Sequence, residues 1–467
     1  MKSFRIFIFL AASLILLALL AAFYPQPGYS IASHRLRYPS LTSILNPQKQ
    51  MDIDAYLAQQ DSLNNLLRLQ QDSLNAFRAY LDTSDIRFWF PNHDDSFFDT
   101  LFSQFNSIPQ SGRTIRILHY GDSQIEMDRI TNRLRSYMQS HFGGGGPGLV
   151  PFATLIPSLS VSTYGTGNLV RQSPFGDSLV VRAAGNYGPM VQDFHVDGSA
   201  TSSIKAGTHR SCDSRLLSFN RAKFIFCNRP GPLSVTISSR RGTHQQFECP
   251  NEGVHAVEYR FDSLTDNIHI AVSGHADLYG TLVDRGPGVA VDNIPMRGCS
   301  GHQFTQINAD QLAQAYALMD VGLIIMQFGG NSVPYLRSAK SISNYCKEMG
   351  NQIDRLHRCC PQALILFIGP SDMCSRPDSV SSLRTYSWLP QVVDSLCATA
   401  TAHGAAYWSI YHAMGGANSM PAWVNNGLGS PDYVHFSQKG ADIMGDRLAN
   451  AFDNMYHLYL LRKESQQ

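Results

Sequence analysis

Three side chains that lie far apart in the sequence have the types and the spacing needed for nucleophilic catalysis. Ser123 follows Gly121 and Asp122 in the segment "ILHYGDSQIEMDRI", which joins an aliphatic run to an amphipathic one. Asp432 and His435 lie near the other end of the chain, in "SPDYVHFSQKG". A serine hydroxyl becomes a nucleophile when a histidine takes its proton, and a carboxylate can orient that histidine. The set predicts attack on an ester carbonyl, with Ser123 as nucleophile, His435 as base and Asp432 as orienting acid.

Attack on a carbonyl places negative charge on its oxygen, and hydrogen-bond donors must stabilise that charge. Two further loops, "NIPMRGCSG" and "FGGNS", offer such donors. We expect the oxyanion to be held by the backbone N–H of Ser123, the backbone N–H of Gly298 and the side-chain amide of Asn331. Gly301 lies in the same loop as Gly298 and is an alternative donor.

The fold must bring these loops together, and the pattern of the chain after Thr114 predicts how. Aliphatic runs alternate there with helical segments, the runs being "TIRILHY", "GVAVDNI", "VGLIIMQF", "ALILFIG" and "AAYWSI". Nearly continuous apolar strands separated by helices are typical of a doubly wound α/β fold, a parallel sheet covered on both faces. Ligands bind such sheets at the carboxyl ends of the strands. Because the candidate loops follow predicted strands or precede the last predicted helix, we expect them to meet at one edge.

One interval, residues 164–282, breaks this alternation. It has no convincing amphipathic helix, but many short alternating runs such as "AKFIFC", "LSVTISS" and "NIHIAVSG". Such runs, separated by Gly, Pro, Asn and Asp, predict an inserted β-sandwich. Because the insertion lies between the first and second strands of the parallel sheet, it could reach over the catalytic edge.

The N-terminal residues predict export. Residues 6–23 are almost wholly apolar and follow Lys2 and Arg5, as in a segment that enters a membrane. No clean small-residue cleavage site follows, which favours an uncleaved anchor and leaves a cleaved signal peptide open. Residues 24–50 contain four prolines and predict an extended spacer. The repeated "QQDSLN" indicates a helix from about Asp52 to Leu81, which we interpret as a stalk in preference to a coiled coil.

Composition excludes some classes of partner. The chain has 467 residues and a net charge of +1, so it lacks the positive charge with which proteins neutralise nucleic-acid phosphates. Its nine cysteines follow no metal-ligand spacing, and no HExxH motif occurs, so we expect neither a metal ion nor another cofactor. A disulfide among Cys212, Cys227 and Cys249 is compatible with an exported protein.

Taken in order, the motifs resemble the four blocks of the SGNH (GDSL-type) hydrolase family. The blocks are Gly121-Asp122-Ser123, Gly298, Gly329-x-Asn331 and Asp432-x-x-His435. The resemblance implies a flavodoxin-like parallel sheet and the same roles for Ser123, His435, Asp432, Gly298 and Asn331 as the chemistry above. The chain departs from the family pattern at Gln124, where Leu is usual, and at Ser332, where many members have Asp.

The layout of an exported SGNH domain with a strand-rich insertion resembles that of peptidoglycan O-acetylesterases, in which the inserted module is similar to carbohydrate-binding domains. The resemblance implies hydrolysis of O-acetyl esters on a cell-wall glycan, in the periplasm, with the protein anchored to the inner membrane or secreted if the leader is cleaved. Two alternatives stay open. An acetyltransferase would use the same acyl-serine, and a glycan-binding protein would carry an inactive enzyme fold.

The sequence therefore predicts four parts. They are a signal or anchor segment over 1–23, a spacer and helical stalk over 24–92, an SGNH hydrolase domain over 93–163 and 283–467, and an inserted β-sandwich, similar to carbohydrate-binding domains, over 164–282.

Overall fold

The computed structural model describes most of the chain, in two compact units that comprise Met1–Ser73 and Leu74–Gln467. The described residues are 2–23, 29–31, 34–36, 71–154, 158–176, 180–182, 185–207, 209, 212–240, 242–375 and 383–466. Most of the expected spacer and the part of the expected stalk helix over 52–70 lie outside them. Residues 71–83 are helical, as predicted for the end of the stalk.

Eighteen strands occur in the described residues. In chain order, β1 to β18 are Tyr29–Ile31, His34–Leu36, Phe88–Trp89, Thr114–Gly121, Gly148–Val150, Val161–Gln172, Asp193–Ala206, Phe219–Asn228, Leu233–Ser239, His244–Cys249, Gly253–Thr265, Asn267–Asp284, Gly288–Pro295, Val321–Gln327, Leu364–Gly369, Cys374–Ser375, Arg384–Thr385 and Ala406–Ser409.

Eleven α-helices accompany them in the same described part of the chain. In chain order, α1 to α11 are Lys2–Phe23, 71–83, Asp99–Asn106, Ile108–Ser111, Thr131–Phe142, Ala309–Ala317, Ala339–Cys359, Leu389–Ala402, Ile410–Ala413, Ser419–Asn425 and Gln438–Glu464.

A mixed six-stranded sheet forms the framework of the second unit. Its strand order is β13-β4-β14-β15-β18-β3, and all neighbours are parallel except β18 and β3. The five parallel strands thus have the order 2-1-3-4-5 of the predicted flavodoxin-like, doubly wound fold. The antiparallel edge strand β3 was not predicted, since its two residues are too few to show a periodic pattern.

The two faces of this sheet bury separate cores because successive side chains of a strand point to opposite faces. In β4, Ile115 and Ile117 join one core, whereas Leu118 and Tyr120 join the other. Helices α3, α5 and α11 cover the first core, and α6, α7 and α8 cover the second. Both faces of the strand are therefore apolar, which explains the nearly continuous hydrophobic runs in the sequence.

Strands β5 to β12 form a second, antiparallel eight-stranded sheet, which confirms a β-rich insertion between β4 and β13. The long strand β12 is central: it pairs with β7 and β9 in its first half and with β5 and β8 further on. Alternate residues of β9 are buried, as expected for a sheet with one face on a core. The arrangement of this sheet as a sandwich, and the domain boundaries given above, stay predictions.

The insertion joins the parallel sheet at a buried ionic cluster. Arg116, in β4, binds the carboxylates of Asp284, the last residue of β12, and Asp292, in β13. The backbone N–H of Leu149, in β5, donates to Asp292 Oδ1 at 2.8 Å. All three charged side chains are buried, so each charge depends on its partners for compensation.

Two features bear on export and redox state. Within α1, Phe4–Phe23 has a mean hydropathy of 2.9 and is long and apolar enough to cross a membrane, a property that signal sequences share. All nine cysteines lie in the described residues, and none forms a disulfide.

Candidate active site

The turn after β4 presents Ser123 at the carboxyl edge of the parallel sheet. The last residue of β4, Gly121, is in register with Pro295 in β13 and with Gln327 in β14. A Cβ atom at position 121 would lie 3.0 Å from a methyl carbon of Ile125, so glycine lets the turn fold back closely on the strand. The strand ends here and Ser123 follows at the crevice where ligands bind in such sheets.

The loop that carries Asp432 and His435 is closed by its own backbone. Asp432 Oδ1 accepts hydrogen bonds from the N–H groups of Val434, at 2.9 Å, and His435, at 3.0 Å. The N–H of Ser430 donates to the His435 carbonyl at 2.7 Å. This turn directs the carboxylate and the imidazole to the same side of the loop.

The structure brings Ser123, His435 and Asp432 into one hydrogen-bonded series. Ser123 Oγ lies 2.8 Å from His435 Nε2, and His435 Nδ1 lies 2.7 Å from Asp432 Oδ2. With Nδ1–H donating to the carboxylate, Nε2 of a neutral ring is the acceptor that faces the hydroxyl. Partial burial disfavours the charged carboxylate of Asp432, but hydrogen bonds from His435 and Val434 outweigh it and lower the pKa. The acid therefore stays ionised beside the ring.

Donors surround the space next to Ser123. Neither the N–H of Ser123 nor that of Gly298 donates to an acceptor in the part of the chain that the structure describes. The amide of Asn331 donates to the Cys299 carbonyl at 3.0 Å and to Asp122 Oδ2 at 3.2 Å. The N–H groups of Ser123 and Gly298 can bind an oxyanion without giving up a hydrogen bond, whereas Asn331 must exchange one of its bonds.

Gly298 and Gly301, the two alternative oxyanion donors, lie in different surroundings. Gly298 lines the cleft beside Ser123 and has φ +76°, with no atom within 4 Å of a Cβ at that position. Gly301 has φ +92°, and a Cβ there would lie 3.0 Å from both Phe328 and Met349. Gly298 is therefore in contact with the reaction space, and Gly301 packs against the core.

Asp122 is a site residue to which the sequence reasoning gave no role. It is 4% exposed, and its Oδ1 accepts from the Gln124 N–H at 3.0 Å while its Oδ2 accepts from Asn331. Burial raises the pKa of Asp122 to about 6. In the sequence, only the position of Asp122 directly before Ser123 indicated that it belongs to the site.

Gln124 and Arg129 tie the serine turn to the histidine loop, and neither was predicted to do so. The Gln124 side chain donates to the Val434 carbonyl at 2.8 Å and accepts from the Phe436 N–H at 3.4 Å. Arg129 Nη2 donates to the Ser123 carbonyl at 2.7 Å. These bonds fix the distance between the two loops that carry the nucleophile and the base.

Backbone strain is concentrated directly after the serine turn. Met127, Asp128 and Ile130 have φ of +62°, +63° and +61°, a conformation that costs L-residues about 1–2 kcal/mol each. A buried ion pair between Asp128 and Arg135, at 3.0 Å, helps to hold this segment. Strained backbone of this kind persists where the surroundings fix it, commonly at functional sites.

An open cleft of about 670 Å³ contains these groups. Tyr335 and Tyr386 lie on its walls, and Tyr335 is 78% exposed. His119, close to the serine in sequence, is fully buried between Gln327 and Thr131, and burial lowers its pKa to about 4. His119 thus contributes to structure and not to the cleft. No cluster of three or more His, Cys, Asp or Glu side chains suited to a metal ion occurs among the described residues.

Comparison with known proteins supports this interpretation. The model of the GDSL-like lipase/acylhydrolase family matches residues 262–443, which contain Gly298, Asn331, Asp432 and His435. The match begins after Ser123, which the insertion separates from the remaining motifs. No curated protein matches the sequence.

Among solved structures, the chain is similar to a peptidoglycan O-acetylesterase, with 21% identity and a TM-score of 0.61 over 78% of this chain and 96% of that one. It also matches a family two carbohydrate esterase from Cellvibrio japonicus, with 10% identity and a TM-score of 0.25 over 64% of this chain and 99% of that one. Only the first TM-score is high enough to support a common fold. The family match over these residues and the shared fold together support a carboxylic ester hydrolase of the SGNH, or GDSL-like, type.

Proposed function

We propose that this protein is an exported serine esterase that removes O-acetyl groups from a cell-wall polysaccharide, with peptidoglycan as the substrate. The observation that carries the proposal is the series from Ser123 Oγ through the His435 ring to the ionised Asp432, at 2.8 and 2.7 Å. In this proposal Ser123 is the nucleophile, His435 the general base and Asp432 the group that orients the imidazole.

In the first step, Ser123 Oγ attacks the acetyl carbonyl carbon and its proton passes to His435 Nε2. The carbonyl oxygen becomes an oxyanion, which accepts from the N–H groups of Ser123 and Gly298. Asp432 stabilises the imidazolium. When the bond between the acetyl carbon and the sugar oxygen breaks, His435 returns the proton to that oxygen, and the acetyl group remains on Ser123.

Asn331 supplies the third donor in this proposal by releasing one of its present acceptors. Its 3.2 Å bond to Asp122 is longer than its 3.0 Å bond to the Cys299 carbonyl. We expect the longer bond to be exchanged, so that the other still fixes the side chain. A donor in this position is worth about 3–4 kcal/mol in the transition state.

In the second step, water attacks the acetyl carbon while His435 Nε2 takes its proton. A second oxyanion forms in the same place and collapses as the bond to Ser123 Oγ breaks. The proton returns to Ser123, and acetate leaves. If a sugar hydroxyl takes the place of water, the same chemistry transfers the acetyl group, so hydrolase and transferase differ only in the acceptor.

Three observations support the glycan substrate and the location. The fold is shared with a peptidoglycan O-acetylesterase, the cleft is open enough for a polymer, and α1 has the length and hydropathy of a signal or anchor segment. The strand-rich insertion, proposed as a sandwich similar to carbohydrate-binding domains, would hold the glycan. The proposed location is the periplasm, with α1 in the inner membrane.

The test is acetate release from isolated O-acetylated peptidoglycan by the wild type and by Ser123→Ala. We expect Ser123→Ala to lower the rate on the order of a thousandfold or more, with folding unchanged by circular dichroism. Ser238→Ala, in β9, is the matched control and should retain the wild-type rate. Equal rates for the wild type and Ser123→Ala would refute the proposal and favour an inactive glycan-binding protein.

A second arm of the same test distinguishes hydrolysis from transfer. The wild type is supplied with a chromogenic acetate ester and de-O-acetylated peptidoglycan, and acetate and acetylated glycan are both measured. Acetate is the expected product. Acetylated glycan as the main product would replace the esterase proposal with a transferase.

A further inference from the structure

A second cavity, of about 370 Å³, adjoins the catalytic cleft. Glu126 and Arg297 line both spaces and so stand at their junction. Glu126 follows Ser123 by one turn, and Arg297 precedes Gly298 in the loop after β13. A polymer bound with one residue at Ser123 would therefore have a neighbouring part within reach of the second cavity.

The inserted β-sheet supplies much of the wall of the second cavity. Leu149, Val161, Phe175 and Met190 give it an apolar lining. Polar side chains line the cavity on both sides: Glu126 and Asp128 on the side of the parallel sheet, and Arg171 and Gln192, which are bonded to each other at 2.9 Å, on the side of the insertion. The oxygens of Asp128 already accept from Arg135, Ser158 and Ser160. The space thus has an apolar wall formed by these four side chains and an unpaired acceptor at Glu126, which suits a group with a methyl at one end and a hydrogen-bond donor at the other.

Glu126 is the group that requires a ligand. Its side chain is 10% exposed, and Oε1 has no hydrogen-bond partner among the described residues. The nearest cation is Arg297, whose Nη1 lies 3.8 Å from Oε1, beyond hydrogen-bond distance. The Arg297 side chain is 69% exposed and therefore compensates the carboxylate weakly. A buried carboxylate oxygen without a donor is costly, and a ligand N–H in this place would satisfy it.

We infer that the second cavity binds the N-acetyl group of an amino sugar in the glycan. This inference rests on the proposed function and specifies which group of the substrate the second cavity recognises. The acetamido N–H donates to Glu126 Oε1, and the methyl group packs against the apolar wall. Glu126 and the cavity thus act as a specificity determinant, apart from the groups that attack the ester.

The first experiment fills the cavity without changing a cleft residue. Ala153 lines the cavity, and Ala153→Phe should occupy its space. We expect KM for O-acetylated oligomers of N-acetylglucosamine to rise about tenfold or more, with kcat/KM for a small chromogenic acetate ester within about twofold of wild type. Ala398→Phe, at an exposed position of α8, is the matched control. An unchanged KM for the oligomers in Ala153→Phe would overturn the inference.

The second experiment removes the acceptor. The wild type should prefer N-acetylated to de-N-acetylated O-acetyl oligomers by about tenfold in kcat/KM. Glu126→Met, which has similar volume and only a weak acceptor in place of the carboxylate, should abolish most of that preference, and Glu258→Met in β11 should retain it. If the wild type hydrolyses the chromogenic ester but shows no preference, or prefers the de-N-acetylated oligomer, this inference is refuted and the proposed function is not. A wild type that hydrolyses no ester defeats the proposed function.

Discussion

At the scale of single residues, the site contains two carboxylates, Asp432 and Asp122, in different surroundings. Asp432 is partly exposed and receives three hydrogen bonds from its own loop, which keep it ionised. Asp122 is buried behind the serine and receives fewer donors, so that burial dominates and its pKa rises. The spacing Asp432-x-x-His435 was enough to predict the role of Asp432 from the sequence. The interaction of Asp122 with Asn331 depends on the meeting of two distant loops, which no local pattern in the sequence records.

The effect of Asp122 on stability should depend on pH. Because its pKa rises from 3.8 to about 6, the folded chain binds the proton more tightly than the unfolded chain. The resulting stabilisation is present below pH 3.8 and is lost as the pH rises to about 6. Asp122→Asn has no carboxyl group at this position, so this stabilisation is not lost in the variant. We expect the difference in free energy of unfolding, Asp122→Asn minus wild type, to increase by up to about 3 kcal/mol between pH 3.8 and about 6.

Urea denaturation at several pH values measures this difference. Asp442→Asn, at a partly exposed position near the start of α11, is the control for removal of a carboxylate outside the site. A difference between Asp122→Asn and wild type that stays constant with pH would mean that Asp122 keeps its ordinary pKa in the folded chain.

Asp432 should matter for rate more than for substrate binding. In Asp432→Asn the amide oxygen can keep the two backbone N–H bonds of Oδ1, and an NH2 donor then replaces the Oδ2 acceptor that holds His435 Nδ1–H. The ring can therefore adopt the tautomer in which Nε2 carries the proton. We expect kcat to fall on the order of a hundredfold with little change in KM, less than for Ser123→Ala because water can reach the partly exposed ring. Steady-state kinetics with a chromogenic acetate ester measures both constants. If kcat of Asp432→Asn equals that of wild type, Asp432 has no role in the proposed mechanism.

At the scale of elements, the parallel strands were predictable because both of their faces are apolar. The run "GVAVDNI" differs from β13 by one residue at its end, and "VGLIIMQF" differs from β14 likewise. Hydrophobic periodicity predicts a helix over 127–141, yet α5 begins at Thr131, since Met127, Asp128 and Ile130 have positive φ. The same periodicity predicts the last helix over 440–455, and α11 continues to Glu464. Helix ends and strained turns depend on tertiary contacts that hydrophobic periodicity does not show.

The loop after β13 offers a matched pair of glycines. Both Gly298 and Gly301 have positive φ, but only a Cβ at 301 meets neighbouring atoms, in Phe328 and Met349. Gly298→Ala should cost about 1–2 kcal/mol from backbone conformation alone. Gly301→Ala should cost at least about 1 kcal/mol more because of crowding. Thermal and urea denaturation of the two variants tests this order, and equal losses would contradict the packing described for Gly301.

At the scale of the whole molecule, the second unit depends on the buried cluster where the two sheets join. Arg116 connects the strand before Ser123 with the end of β12 and with β13. The sequence predicted where the insertion lies, from the change of pattern between two apolar strands. It gave no indication of the cluster, because Arg116 lies more than 150 residues from Asp284 and Asp292 and no local pattern in the sequence pairs them.

Removal of the cation from this cluster should destabilise the whole unit. Arg116→Met leaves the carboxylates of Asp284 and Asp292 buried with too little positive charge, at a cost of about 3–5 kcal/mol. Arg133→Met removes an exposed pair with Asp446 and should cost less than about 1 kcal/mol. The free energy of unfolding in urea compares the two variants. A loss for Arg116→Met as small as that for Arg133→Met would show that the junction contributes little.

The placement of β4 also determines the order in which the chain can assemble. Its two hydrogen-bonded neighbours, β13 and β14, are both synthesised after the entire insertion. The central strand, apolar on both sides, therefore remains unpaired until more than a hundred later residues have emerged, and pairings so distant in sequence form slowly. The antiparallel sheet, whose partners are all closer in sequence, can close first and then bring the two halves of the hydrolase domain together.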